Sequence, residues 1–163
     1  MSLLSVALRK IRSAATFSAT ELALVPLVFV LLGVARLAIL MLPFRSYVGL
    51  FGEVTDLSTV QGAATARAMS RQGSVGRVVR RTAKITPWES LCLAQAMVAS
   101  VLLRASGVSF LVFFGVARAD GDGSSDPLAA HCWVRVGEVN VTGGQNVSRF
   151  TVVKAFARPG TAA

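Results

Sequence analysis

Hydrophobic positions in this chain change period from one end to the other. Leu22 to Ala35 is continuously apolar except for Pro26 and Gly33; Arg36 interrupts, and Leu37 to Phe44 resumes as far as Arg45. Beyond Tyr47, Leu50, Val54, Leu57 and Val60 recur at helical spacing, Ala63 to Met69 continue the stripe weakly, and Gln72-Gly73-Ser74 reads as a turn. Val75, Val78 and Val79 then predict a short helix ending at Arg80-Arg81. Leu93, Met97 and Val101 mark one apolar face of a helix between Pro87 and Gly107. After Gly107 the period drops to that of strands. Val108–Val116 is rich in Val and Phe, Ala130–Val136 alternates, Gly137-Glu138 supplies a tight turn, and Val139–Thr142 and Phe150–Phe156 complete the set. Helices followed by hairpin-linked strands predict an α+β fold, with a helix packed on a small antiparallel sheet. The expected organisation is a helical region over 1–84 containing an apolar helix at 22–44, a core over 85–157 and a tail over 158–163.

The 87–107 helix carries its own punctuation. Thr86-Pro87-Trp88-Glu89 reads as a capping box, with Ser90 a second candidate N-cap. Arg104 in the last turn and Gly107 beyond it read as the end. With Ser90 as cap, Cys92 falls in the first turn, where unpaired N–H groups and the helix dipole favour a thiolate.

Three readings fit the apolar stretch at 22–44. A secretory signal agrees with the basic lead-in (Arg9, Lys10, Arg12) but lacks a clear cleavage site. A membrane span needs ~20 apolar residues and so would have to include Arg36. A helix buried against the rest of the protein or a partner carries no such cost, and is the preferred reading.

Composition sharpens this only in part. The chain has 163 residues, enough for one domain with a real core, and is 53% hydrophobic. Mean hydropathy is +0.62. With 17 Lys+Arg against 8 Asp+Glu the formal charge is +9, which points to an anionic partner without choosing one. Nucleic acid is disfavoured, because no reader motif and no aromatic interleaving accompany the charge. The densest basic cluster is Arg67, Arg71, Arg77, Arg80, Arg81 and Lys84; a solvated helix face is the preferred reading, and a docking surface for an acidic segment the other.

Two cysteines and one histidine limit the chemistry. They exclude a disulfide framework, and no CxxC supports zinc. Asp120, Asp122, Ser124 and Asp126 imitate a calcium loop, but Ser125 stands where its glycine is needed and His131 where its glutamate is needed, so a solvated loop is expected. Cys92 at a helix start and His131 on a following strand are the elements of Cys–His nucleophilic catalysis: histidine takes the thiol proton, and the thiolate attacks a carbonyl carbon. For each residue alone, a buried structural side chain is the preferred reading.

Pro87-Trp88, Leu91-Cys92-Leu93-Ala94-Gln95-Ala96, Leu103-Arg104-Ala105-Ser106-Gly107 and Ala130-His131-Cys132-Trp133-Val134-Arg135-Val136 together resemble the leader peptidases of lasso-peptide biosynthesis, which are stand-alone transglutaminase-like cysteine proteases. The apolar helix with Arg36 and Leu42-Pro43-Phe44-Arg45 is similar to that family's N-terminal region. The resemblance implies a papain-like core with Cys92 as nucleophile and His131 as general base; Cys132 takes a position usually held by a small residue. It also implies an Asp or Asn after the histidine. No acid stands there except Glu138 at the turn, which leaves Asn140 and Thr142 as candidate third members, both counted onto the face of His131 across the hairpin. The implied activity is removal of the leader from a ribosomally made precursor peptide in the cytoplasm. The implied partners are that precursor, a separate leader-recognition protein and an ATP-dependent macrolactam cyclase, with no cofactor in this chain itself. A non-catalytic scaffold held at a membrane surface by 22–44 is the alternative.

Overall fold

The computed structural model describes residues 19–56, 66–118 and 128–161. Among these are three α-helices, α1 (Ala19–Met41), α2 (Ala66–Ala83) and α3 (Cys92–Ala105), and five strands. The strands are β1 (Glu53–Thr55), β2 (Phe110–Arg118), β3 (Leu128–Val136), β4 (Val139–Thr142) and β5 (Thr151–Arg158). They form one antiparallel sheet in the order β1-β5-β2-β3-β4. The fold is α+β, as the change of period predicts.

All three helices lie on one face of the sheet. Val28, Leu32 and Ala35 of α1, Val75, Val78 and Val79 of α2, and Ala94, Val98 and Leu103 of α3 share one core with Val112, Cys132, Val134, Val136, Val141 and Phe156 from the strands. This core joins α1 and α2 to the sheet. The opposite face carries a smaller cluster of Phe113, Trp133 and Ala155, flanked by Leu111, Val147, Phe150 and Val152. The alternation of strand side chains separates the two: Cys132 and Val134 face the helices, and Trp133 faces away.

Several expectations need correction. The Leu50–Val60 stripe is not a helix where it is described. Val48–Phe51 forms a 3-10 turn, and Val54 lies in β1, paired with Phe156 at the sheet edge. Leu57 and Val60 fall outside the described residues, as does the 120–127 loop. Gln72-Gly73-Ser74 is not a turn but part of a continuous α2. Gln72, Val75, Val78, Val79 and Thr82 are all buried at helical spacing, and a stripe that long outweighs a cost of roughly 1 kcal/mol per helical glycine. Gly76 also has a packing reason, since a Cβ there would stand 2.6 Å from the Val141 carbonyl oxygen.

The start of α3 differs too. It begins at Cys92, with Leu91 in the N-cap position and no side-chain cap. Thr86, Pro87 and Ser90 precede the helix rather than open it. The Thr86 hydroxyl lies 2.9 Å from the Ala83 carbonyl oxygen and 2.9 Å from the Ser90 hydroxyl. Both candidate caps are therefore spent on the turn between α2 and α3. The other end is as read: Gly107 has φ +68°, and its N–H donates to the Arg104 carbonyl while that of Val108 donates to Leu103.

Candidate active site

Cys92 is the first residue of α3 and is partly buried, its side chain packed against the helix-side core. Leu91 offers no side-chain acceptor, so the first N–H groups of the helix stay open around the thiol. The segment leading in is held from two sides. Gln95, one turn on, donates its amide to the Ser90 carbonyl at 2.8 Å. On the other side α1 holds Trp88 and Glu89: the Trp88 ring meets Phe29 edge-on at 5.0 Å and covers Gly33, where a Cβ would stand 3.2 Å from the indole. Arg36 reaches Glu89 at 3.6 Å. Phe29, Gly33 and Arg36 are one helical stripe, so the charge that interrupts the apolar run serves the approach to Cys92.

Cys132 on β3 is the thiol's neighbour. It is buried, and burial first, then the proximity of Cys92, pushes its pKa far above the ordinary thiol range. It stays protonated, which fits a packing role and not a nucleophile's.

His131, one residue before Cys132, stands on the other side of β3. Its ring stacks on Trp133 at 5.9 Å and lies tilted against Phe150 at 4.9 Å. No hydrogen bond joins Cys92 to His131 among the described residues. The two are near in the fold through Cys132, but they are not closed into a pair. At His131 the strand borders only β2, through Gly115, because β4 pairs with β3 from Val134 onward. The imidazole therefore stands at an open edge. Its Nε2 lies 2.7 Å from the Gly143 carbonyl oxygen. A carbonyl can only accept, so Nε2 carries the proton and Nδ1 of the neutral ring keeps its lone pair.

Neither Asn140 nor Thr142 bonds to His131. Asn140 pairs with Arg135, and its side-chain oxygen accepts from Arg135 Nε at 3.2 Å. Thr142 pairs with Val134, a helix-side residue, because the register shifts by a bulge between Val134 and Arg135. That bulge breaks the count that put both candidates on one face. Thr142 is fully buried, and its hydroxyl has no partner. The group on His131 is a backbone carbonyl in the turn after β4, which side-chain reasoning could not find. The available signal was the pair Gly143-Gly144 directly after a short strand: Gly143 has φ +67°, a conformation that favours glycine.

The basic cluster on α2 is largely used inside the molecule. Arg71 donates to the Ser106 carbonyl at 2.8 Å, Arg77 pairs with buried Glu21 at 2.6 Å, and Arg80 donates to the Val141 carbonyl. Desolvation first, then Arg77 and Arg81, hold the Arg80 guanidinium below the usual arginine range. These arginines tie α2 to α1, to the end of α3 and to β4. Among the described residues no group of three or more His, Cys, Asp or Glu side chains could hold a metal ion.

No curated protein and no solved structure matches the chain significantly. The family described as the transglutaminase-like superfamily matches residues 38–155, from the second half of α1 to β5 and through both Cys92 and His131. With a helix-borne cysteine packed on an antiparallel sheet whose next strands carry the histidine, the chain belongs to the transglutaminase-like superfamily.

Proposed function

We propose that the chain is a cysteine peptidase that removes the leader from a ribosomally made lasso-peptide precursor. The observation that carries this reading is Cys92 at the uncapped N-terminus of α3, beside the strand that bears His131. His131 Nδ1 takes the thiol proton, and Sγ attacks the scissile carbonyl carbon. The open N–H groups at the start of α3 hold the oxyanion. The imidazolium then protonates the departing amine, which becomes the N-terminus of the core peptide. Water, deprotonated by Nδ1, releases the leader from the acyl-enzyme. Cys92 lies on the helix side of β3 and the His131 ring on the other, so the scheme requires the imidazole to swing round the strand edge to reach Sγ when substrate binds. Gly143 keeps the Nε2–H tautomer, the part an Asp or Asn plays in related enzymes by resemblance.

In this reading the chain works in the cytoplasm with the precursor peptide, a separate leader-recognition protein and an ATP-dependent macrolactam cyclase. The test is cleavage of a precursor by the chain together with its leader-recognition partner. Cys92→Ala keeps its fold and loses leader removal; unchanged cleavage by that variant sinks the reading. The second reading, a non-catalytic scaffold, is favoured by the missing thiol–imidazole hydrogen bond. Iodoacetamide separates the two. In a Cys132→Ala background, a peptidase shows Cys92 alkylation near neutral pH that slows when His131 is replaced by Ala, and a scaffold shows none of that dependence.

A further inference from the structure

Helix α1 is apolar on two opposite sides, and the protein uses one. Val28, Leu32 and Ala35 are at most 4% exposed, whereas Val30, Val34, Leu37 and Leu40 are 56–65% exposed and Met41 is 77% exposed. At about 100° per residue the exposed positions fall in one arc opposite the buried ones. Exposed aliphatic surface of this extent is a contact site for something.

We propose that this outward face of α1 docks in the plane of an anionic lipid bilayer, with the helix lying along the surface. By length and composition Glu21–Met41 could cross a membrane. A spanning helix, however, would carry Val28, Leu32, Phe29 and Gly33 into lipid, stripping the core and uncovering Trp88. The in-plane arrangement keeps those contacts and buries only what is exposed.

Two observations favour lipid over a protein partner. Apart from Arg36, which is turned toward Glu89, no side chain from Leu22 to Phe44 is polar, so the exposed arc offers a partner no side-chain hydrogen bond. Protein interfaces carry about one hydrogen bond per 100–200 Å², whereas lipid requires none. A second copy of the chain is also disfavoured by charge, because each carries +9. An anionic surface attracts the same charge. Arg45, exposed just beyond the apolar run, falls at headgroup level when Phe44 and Met41 are immersed.

The experiment is flotation of the full chain on a density gradient with phosphatidylcholine vesicles, with and without phosphatidylglycerol. The wild type is expected to float with the anionic vesicles and to stay bound in ~1 M salt, where screening leaves the apolar contact. Val30→Gln with Val34→Gln, both outward, should keep the circular-dichroism melt and reduce vesicle binding at least about tenfold. Cys92→Ala should float like wild type, so this outcome is independent of the peptidase reading. A wild type that remains in the dense fraction, or a double variant that floats equally well, overturns the proposal. So does a wild-type dimer in sedimentation analysis that the double variant dissociates while neither floats, which would assign the face to a second copy.

Discussion

The imidazole of His131 is held through Nε2 by the carbonyl oxygen of Gly143, 2.7 Å away. A peptide carbonyl fixes a tautomer as well as a carboxylate does, but it brings no full negative charge to the imidazolium that forms during catalysis. In the peptidase reading, the result is a base of fixed tautomer with a weaker stabiliser. Nitrogen-15 NMR of the single histidine should therefore show the neutral ring protonated at Nε2; the Nδ1–H tautomer would contradict the assignment.

Gly143 should be the sensitive position in the 140–143 segment. A Cβ there would collide with the Cys132 carbonyl and would require a left-handed conformation of an L side chain. Gly143→Ala is expected to cut leader cleavage by ~10–100-fold through misplacement of the His131 ring. Thr142→Val should retain cleavage and gain on the order of 1 kcal/mol of stability, because it removes a buried hydroxyl that has no partner. A collapse of activity in Thr142→Val with unchanged Gly143→Ala kinetics would restore the side-chain third member.

The buried Cys132 thiol gives the fold an alkaline limit. Its folded pKa is raised, so the folded state holds its proton while the unfolded thiol releases one above about 8.5. The unfolded state then binds fewer protons, and stability falls as pH rises beyond that point, by up to about 1.4 kcal/mol per unit. Denaturant melts of wild type and Cys132→Ala at pH 7 and pH 10 should show the extra loss only in wild type.

Charge pairs in this fold should differ in weight according to burial. Glu21 is buried and bonded to Arg77 at 2.6 Å, whereas the Glu89 side chain facing Arg36 is 73% exposed. Arg77→Ala is expected to cost about 2–3 kcal/mol, since it takes the guanidinium from a buried carboxylate. Arg36→Ala should cost less than about 1 kcal/mol. Thermal melts of the two variants test the ranking.

The strands after Gly107 were the most legible part of the sequence because each is short, Val- or Phe-rich and bounded by a turn, whereas β1 was read as helix. Val139–Thr142 matches residue for residue, and β2, β3 and β5 differ only at their ends. What escaped was set by tertiary contacts. Gly73 and Ser74 look like a turn until the buried stripe from Gln72 to Thr82 is seen to need a continuous helix. Thr86 has a cap's chemistry, but its hydroxyl is engaged by Ala83 and Ser90. The parity argument held for Asn140, which pairs with Arg135, but failed for Thr142 at a one-residue bulge that no side-chain pattern announces. Resemblance, not periodicity, singled out Cys92 and His131 as candidates, and both lie inside the matched transglutaminase-like region. The Gly143 carbonyl was not, because every residue has one.

The seat of Trp88 on Gly33 has a mechanical consequence. Turning α1 about its axis by even one residue would swing a side chain into the indole, so the rotational setting of that helix is locked to the four-residue lead into Cys92. Whatever surface α1 rests on thereby acts as a datum for the thiol. Its height and bearing are fixed by the same helix, so in the peptidase reading the Cys92 thiol keeps a set direction instead of drifting with its support.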